Sequence, residues 1–171
     1  VSYSYVWSLD GTAQPGEVDA QIDASDISWD QSWSVVVTPN DGTQDGPAAT
    51  AEVLIGNTPP GVPIIGLEPT PAYEGDDLHC VVQSASFDPD GQGLSYSVNW
   101  NVEGTPWSGA TSTTTWPGDT VPGSNVMGAD VWICTIEAED GVDYSEPVEA
   151  TTTIEANGPW VSASAGYGTV C

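Results

Sequence analysis

The sequence predicts an all-β chain of tandem β-sandwich units, and three observations carry that prediction. Residues 94–105, Leu-Ser-Tyr-Ser-Val-Asn-Trp-Asn-Val-Glu-Gly-Thr, repeat residues 1–12, Val-Ser-Tyr-Ser-Tyr-Val-Trp-Ser-Leu-Asp-Gly-Thr, with six of twelve positions identical and no gap. Apolar residues elsewhere fall in short runs rich in Val, Ile, Thr, Tyr and Trp, with no helical period. Between those runs stand Asp-Gly, Pro-Gly and Asn-Asp-Gly signals that favour tight turns. An internal repeat of this kind marks a recurring supersecondary unit.

Taken in order, residues 1–9 alternate polar and aromatic and read as a strand running into a turn at Asp10-Gly11. Residues 17–30 mix Val18, Ile22, Ile27 and Trp29 with five carboxylates and read as a loosely alternating strand and loops. Trp33 to Val37 is a β-branched run stopped at Pro39-Asn40-Asp41-Gly42. Ala51 to Ile55 is a strand, and Gly56-Asn57-Thr58-Pro59-Pro60-Gly61 reads as a linker. Beyond it, Val62 to Leu67 carries Pro63 and suits an edge strand. Leu78 to Val82 is a strand, Asp88-Pro89-Asp90-Gly91 a turn, and 94–102 the second copy of the opening motif. The Thr111 to Trp116 run looks extended, Val131 to Ile136 is a strand ending at Glu139-Asp140-Gly141, and Thr151 to Ile154 is the last strand. The two copies also align Trp33 with Trp132, Asp41-Gly42 with Asp140-Gly141, and Leu54 with Ile154.

Charge narrows the function classes. The chain has no Lys or Arg, 25 Asp and Glu, one His and a formal charge of −25 over 171 residues. Such a surface repels nucleic-acid phosphates and anionic lipid, so neither is expected as a partner. No apolar run reaches the ~18 residues of a membrane span. Eight Trp and six Tyr supply material for a core. No phosphate loop, nucleophile elbow or metal-ligand motif occurs, and the chain does not read as an enzyme.

The residues now quoted carry a resemblance. Cys80, Trp100 and Cys134 fall in the order of the strand-B cysteine, strand-C tryptophan and strand-F cysteine of an immunoglobulin-like domain. Trp132, two residues before Cys134, takes the place of the tyrosine corner. The ordered set of Asn-x-Pro-Pro linker, Asp-Pro-Asp-Gly turn, Tyr-x-x-x-Trp strand and late Asp-Gly turn resembles the Ig-like, PKD-like and cadherin-like repeats of bacterial and archaeal surface proteins. The Cys80-to-Trp100 gap is longer than in antibody domains. The resemblance implies tandem Ig-like β-sandwiches: an incomplete domain at 1–57 (strands C to G, lacking A and B), a complete one at 58–157, and a tail at 158–171. It also implies an extracellular or cell-surface location and an inter-sheet disulfide between Cys80 and Cys134. Closing that loop contributes ~4 kcal/mol in the chain-entropy picture.

Two readings of the incomplete first unit stand side by side. In one, the chain is a subunit of an extracellular filament, and the 158–171 tail of an identical subunit supplies the missing strand head-to-tail. In the other, it is a window of a longer repeat array whose missing strands lie upstream. Cys171, the odd cysteine, fits an intermolecular partner. The runner-up function is an adhesin or carbohydrate-binding module on a surface stalk. Trp107 and Trp116 would then stack on glycans, whereas the plain alternative has them cover sandwich faces. Calcium is the natural ligand for so many carboxylates, with candidates at Asp88 and Asp90, at Glu139, Asp140 and Asp143, and at Asp41 and Asp45. The plain alternative is turn chemistry with solvated charge. His79, a lone strand histidine, is expected to point outward.

Overall fold

A computed structural model describes residues 1–110 and 113–156. Within these, eleven strands form three antiparallel sheets. They are β1 (Ser2–Leu9), β2 (Thr12–Ala13), β3 (Ser32–Asn40), β4 (Ala49–Leu54), β5 (Ile64–Glu68), β6 (Leu78–Ser84), β7 (Ser95–Val102), β8 (Thr105–Trp107), β9 (Thr120–Val121), β10 (Val131–Glu139) and β11 (Val148–Thr153). Two 3-10 turns, Ala24–Asp26 and Gly123–Asn125, are the only helical pieces among the described residues. The chain divides into two compact units: residues 1–60 with 87–94 and 139–144, and the remainder from 61 onward.

The second unit contains a β-sandwich. One sheet has the order β11-β10-β7-β8 and the other β5-β6-β9. Lettered along the chain, β5, β6 and β9 are strands A, B and E, while β7, β8, β10 and β11 are C, C′, F and G. Alternation along β10 is complete: Trp132, Cys134, Ile136 and Ala138 are buried and the residues between them are not. They join Tyr96 and Trp100 of β7 and Leu67, Leu78, Cys80 and Val121 of the opposite sheet in one core. The Cys80–Cys134 disulfide spans the two sheets with its Cα atoms 6.2 Å apart. Trp132 makes no corner hydrogen bond: among the described residues its indole N–H has no partner. Its ring stands edge-on to Trp100 (6.1 Å) and Trp107 (5.2 Å), so its contribution is packing.

The first unit repeats only half of this. Its four strands form a single sheet, β2-β1-β3-β4, equivalent to C′, C, F and G. Asp10-Gly11 and Glu103-Gly104 close the matching hairpins with both residues at positive φ, the requirement of a two-residue type I′ turn. β1 pairs Trp7 with Val35 and Leu9 with Trp33, and β3 pairs Trp33 with Val53. Opposite residues share a face, so one face carries Tyr3, Tyr5, Trp7, Leu9, Trp33, Val35, Val37, Ala49, Ala51 and Val53. The other carries Ser2, Ser4, Ser8, Ser32, Ser34, Thr38, Thr50 and Glu52, with Val6, Val36 and Leu54 among them.

Three expectations change. Residues 17–30 form no strand. Gln21 and Ile22 stand where β9 stands in the second unit, but β9 exists by pairing Thr120 and Val121 with His79 and Leu78 of β6. No counterpart of β6 faces Gln21 and Ile22 among the described residues, so they have no ladder to join. Among the described residues the first unit therefore forms no counterpart of strand E. The 113–116 run is also not a strand; its amides turn inward onto Asp119. Finally, Ile55 rather than Leu54 matches Ile154. Ile55 bonds to Gln31 and Asp30 as Ile154 bonds to Asp130 and Ala129. A one-residue shift exchanges the faces of a strand, so Ile55 turns inward and Leu54 is 66% exposed.

Candidate functional site

Two features of the first unit stand apart from ordinary sandwich packing: the apolar sheet face and a cluster of oxygens around the 57–60 segment. On the face, Trp33 is the only deeply buried residue. Residues 20–27 fold over one end of it, where Ile22 and Ile27 meet Trp7, Trp33, Val53 and Ile55 around a depression of about 300 Å3. Trp7 Nε1 ties this flap down by donating to the Asp19 carbonyl at 2.9 Å. Trp100 Nε1 makes the equivalent bond to the Gly118 carbonyl in the second unit at 2.8 Å. Away from the flap the face is open, with Tyr3 59% and Val53 54% exposed. The corresponding residues of the second unit, Tyr96 and Thr152, lie within a closed sandwich.

The oxygen cluster assembles from three turns. Asp88 Oδ1 accepts the N–H groups of Asp90 (2.9 Å) and Gln92 (3.0 Å), the internal bonds of the Asp-Pro-Asp-Gly turn. Asp140 Oδ1 accepts the N–H groups of Val142 and Asp143, both at 2.7 Å. Asn57 Nδ2 donates to Asp140 Oδ2 and Asp143 Oδ2, both at 2.9 Å, and Thr58 N donates to Asp90 Oδ2 at 2.7 Å. Burial works against ionisation of Asp140, but the Asn57 amide and the N–H groups of Asp143 and Val142 outweigh it and hold its carboxyl below the usual range.

Asp90, Asp140 and Asp143 thus meet at Asn57 and Thr58, and Asp88 is tied to Asp90 through its own turn. Glu139 does not join them; its Oε1 accepts the Tyr144 hydroxyl at 3.2 Å. Asp41 and Asp45 are turn formers: Asp41 Oδ1 accepts from Thr43 and Gln44, and Asp45 Oδ1 from Asn40. Asn57 and Gln92 belong to the cluster, although the sequence marked Asn57 only as linker and Gln92 not at all. Their signal is adjacency, since Asn57 opens the Asn-x-Pro-Pro segment and Gln92 follows the Asp-Gly turn. Among the described residues, no three His, Cys, Asp or Glu side chains form a ready-made metal shell. The Asn57 amide instead stands between Asp140 and Asp143.

Trp107 and Trp116 are not open platforms. Trp107 packs edge-on against Trp132, and Trp116 against Tyr96 at 4.8 Å, both partly buried against the core. His79 faces away from the core, as expected, between the buried Leu78 and Cys80, but it is not without a partner. Its Nδ1 lies 3.1 Å from Thr120 Oγ1, and that hydroxyl donates to Asp119 Oδ1 at 2.8 Å. With the single hydroxyl proton committed to Asp119, His79 Nδ1 is the donor to Thr120. Cys171 and the 158–171 tail lie outside the described residues.

No protein-family model matches the chain. No curated protein matches it either. Among solved structures it is similar to the FN1–FN3 domains of chicken CNTN1 (11% identity, TM-score 0.42, 90% of this chain and 57% of that one). It is similar to the chicken interferon gamma receptor alpha chain (12% identity, TM-score 0.47, 91% and 86%). It is also similar to the full Ig1–Ig3 ectodomain of mouse nectin-like molecule 4 (16% identity, TM-score 0.35, 94% and 57%). The chain spans little more than half of the first and third of these.

Proposed function

We propose that this protein is a structural element of an extracellular or cell-surface assembly of Ig-like domains, and that its first unit is completed by a β-strand from another copy. The observation that carries this reading is the apolar face of β1, β3 and β4. Period-2 alternation separates an apolar from a mainly polar face in both units, yet among the described residues only in the second does a facing sheet cover the apolar one. A bare face of this kind is an association surface. A strand laid beside residues 20–23 would give Gln21 and Ile22 the ladder that β6 gives β9, and would cover Val35 and Val37.

The candidate donor is the 158–171 segment. Val161, Ala163, Ala165 and Tyr167 alternate there with Ser162, Ser164, Gly166 and Gly168, the pattern of a strand with one narrow apolar edge. Donation from one copy to the next is head-to-tail and builds open chains. The Cys80–Cys134 disulfide supports an oxidising, extracytoplasmic location.

The test is sedimentation of the full chain over a range of concentrations, with and without a synthetic 158–171 peptide. Concentration-dependent association that the peptide dissolves supports the reading. A monomer at every concentration, or association indifferent to the peptide, refutes strand exchange. Val37→Asp and Ile136→Asp probe the same position in the two units. Ile136 is fully buried, and placing a charge there costs at least about 4 kcal/mol. Val37→Asp, on the bare face, is expected to cost less than about 1 kcal/mol and to abolish association.

A further inference from the structure

The first unit holds a set of buried oxygens that nothing among the described residues satisfies. Asn57 Oδ1, Asp88 Oδ2 and Gln92 Oε1 are buried and, among the described residues, without a hydrogen-bond partner. Asp88 is only 5% exposed, so its free oxygen is closed off from bulk water. All three are acceptors, and so are the carboxylates that meet the same segment: Asp90, Asp140 and Asp143. Turn chemistry accounts for Asp88 Oδ1, but not for its second oxygen. A buried carboxylate oxygen and buried amide carbonyls without donors are each costly. No Lys or Arg exists anywhere in the chain to offset them.

The connectivity brings the residues that carry these oxygens to one segment, although no three of the carboxylates stand together as a metal shell among the described residues. Asp90, two residues from Asp88, accepts the Thr58 N–H, and the neighbouring Asn57 holds Asp140 and Asp143 together. Asn57 presents its NH2 to those two carboxylates and leaves its carbonyl orphaned. A half-turn of the amide exchanges O for N at almost no steric cost, which would point a third oxygen at the space between the two carboxylates.

We propose that Asn57, Asp88, Asp90, Gln92, Asp140 and Asp143 bind a calcium-class divalent cation. Calcium takes six to eight oxygens from carboxylates and amide carbonyls at irregular angles, and this is such a donor set. Magnesium demands octahedral geometry and retains waters, so it is the weaker ligand here. The cation joins the 57–60 segment to the turns at 88–92 and 140–143, fixing the end of the first unit.

The experiment titrates calcium into the full chain by calorimetry at moderate salt, with magnesium in parallel, and follows the melting temperature. One saturable calcium site with a Kd on the order of 10⁻⁴–10⁻³ M is expected, with a rise in melting temperature and weaker binding of magnesium. Asp143→Asn leaves the Asp140 turn intact and should weaken binding by at least about tenfold. Asp88→Asn should do the same; because it touches a turn, its fold is checked by circular dichroism, and Asp143→Asn stands if it fails. Asp45→Asn, a carboxylate of a turn outside the cluster, should leave affinity unchanged. No saturable binding by about 10 mM calcium, or equal loss from Asp45→Asn and Asp143→Asn, overturns the site and leaves only diffuse charge screening.

Discussion

Replacing Asp119 with alanine tests how the second unit closes the irregular stretch between β8 and β9. Asp119 is fully buried and carries no cationic partner. Its Oδ1 accepts the Thr114 N–H at 2.6 Å and the Thr120 hydroxyl at 2.8 Å. Its Oδ2 accepts the N–H groups of Thr115 (2.6 Å) and Trp116 (2.8 Å) and the Thr114 hydroxyl (2.8 Å). Burial pushes the carboxyl up, but the N–H groups of Thr115, Trp116 and Thr114 outweigh it and hold it well below the usual carboxylate range.

Hydrogen bonds to a charged acceptor contribute about 1.5–3 kcal/mol each. Thr114 and Thr115 are exposed, so water takes back part of what alanine forfeits. A net loss of about 3 kcal/mol follows, a fall of roughly 10–20 °C in the melting temperature of a domain this size. Trp116 also loses the anchor that keeps it against Tyr96, so near-ultraviolet circular dichroism should change in the folded state. The assay is thermal and urea unfolding of Asp119→Ala and Asp119→Asn against the parent, at neutral pH and again in acid. A carboxyl held low in the folded state stabilises above its unfolded pKa of about 3.9 and loses that contribution as pH falls through the folded value. The gap between parent and variants should therefore be full at pH 7 and narrow only below about pH 4. A variant that melts within about 2 °C of the parent at neutral pH, or a gap already closed at pH 6, would refute the reasoning.

Two further outcomes are expected of the second unit. The Cys80→Ala/Cys134→Ala pair opens a 54-residue span and should lose about 4 kcal/mol in urea unfolding; a loss below about 1 kcal/mol would show that the loop is already ordered in the unfolded state. Gly123→Ala places a Cβ against the backbone carbonyl of Gly75, beside the bond from Gly123 N to Asp77 Oδ1 at 2.6 Å. It should cost at least about 2 kcal/mol, while Gly56→Ala, with open space around it, stays within about 0.5 kcal/mol; equal melting points for the two would refute the close approach.

Much of this fold is legible in the chain because strand periodicity is local. The alternation Tyr96, Val98, Trp100, Val102 and its copy Tyr3, Tyr5, Trp7, Leu9 assign inward faces without any knowledge of partners. Asp10-Gly11 and Glu103-Gly104 likewise specify their own turns, since positive φ is a property of two consecutive residues. The resemblance added the strand-B and strand-F cysteines, which pair as implied. What failed was whatever depended on a partner strand. Gln21 and Ile22 have the residues of a strand and form none, because a β-ladder is made by two segments. The one-residue offset between Leu54 and Ile55 was hidden for the same reason: register is fixed by β3, not by β4 itself.

The sequence by itself determined the all-β class, the repeat, the strand faces, the absence of any internal Lys or Arg to balance 25 carboxylates, and which turns carry aspartates. Only the tertiary structure decided which of those aspartates meet. Asn57 reaches Asp140 and Asp143 across 83 and 86 residues, Gln92 brings an oxygen no motif marked, and Glu139 turns away to Tyr144. Acidic turn residues look alike along a chain. Their chemistry is set by which loops converge and by which oxygens lose water when they do, and burial of that kind arises from packing across long separations.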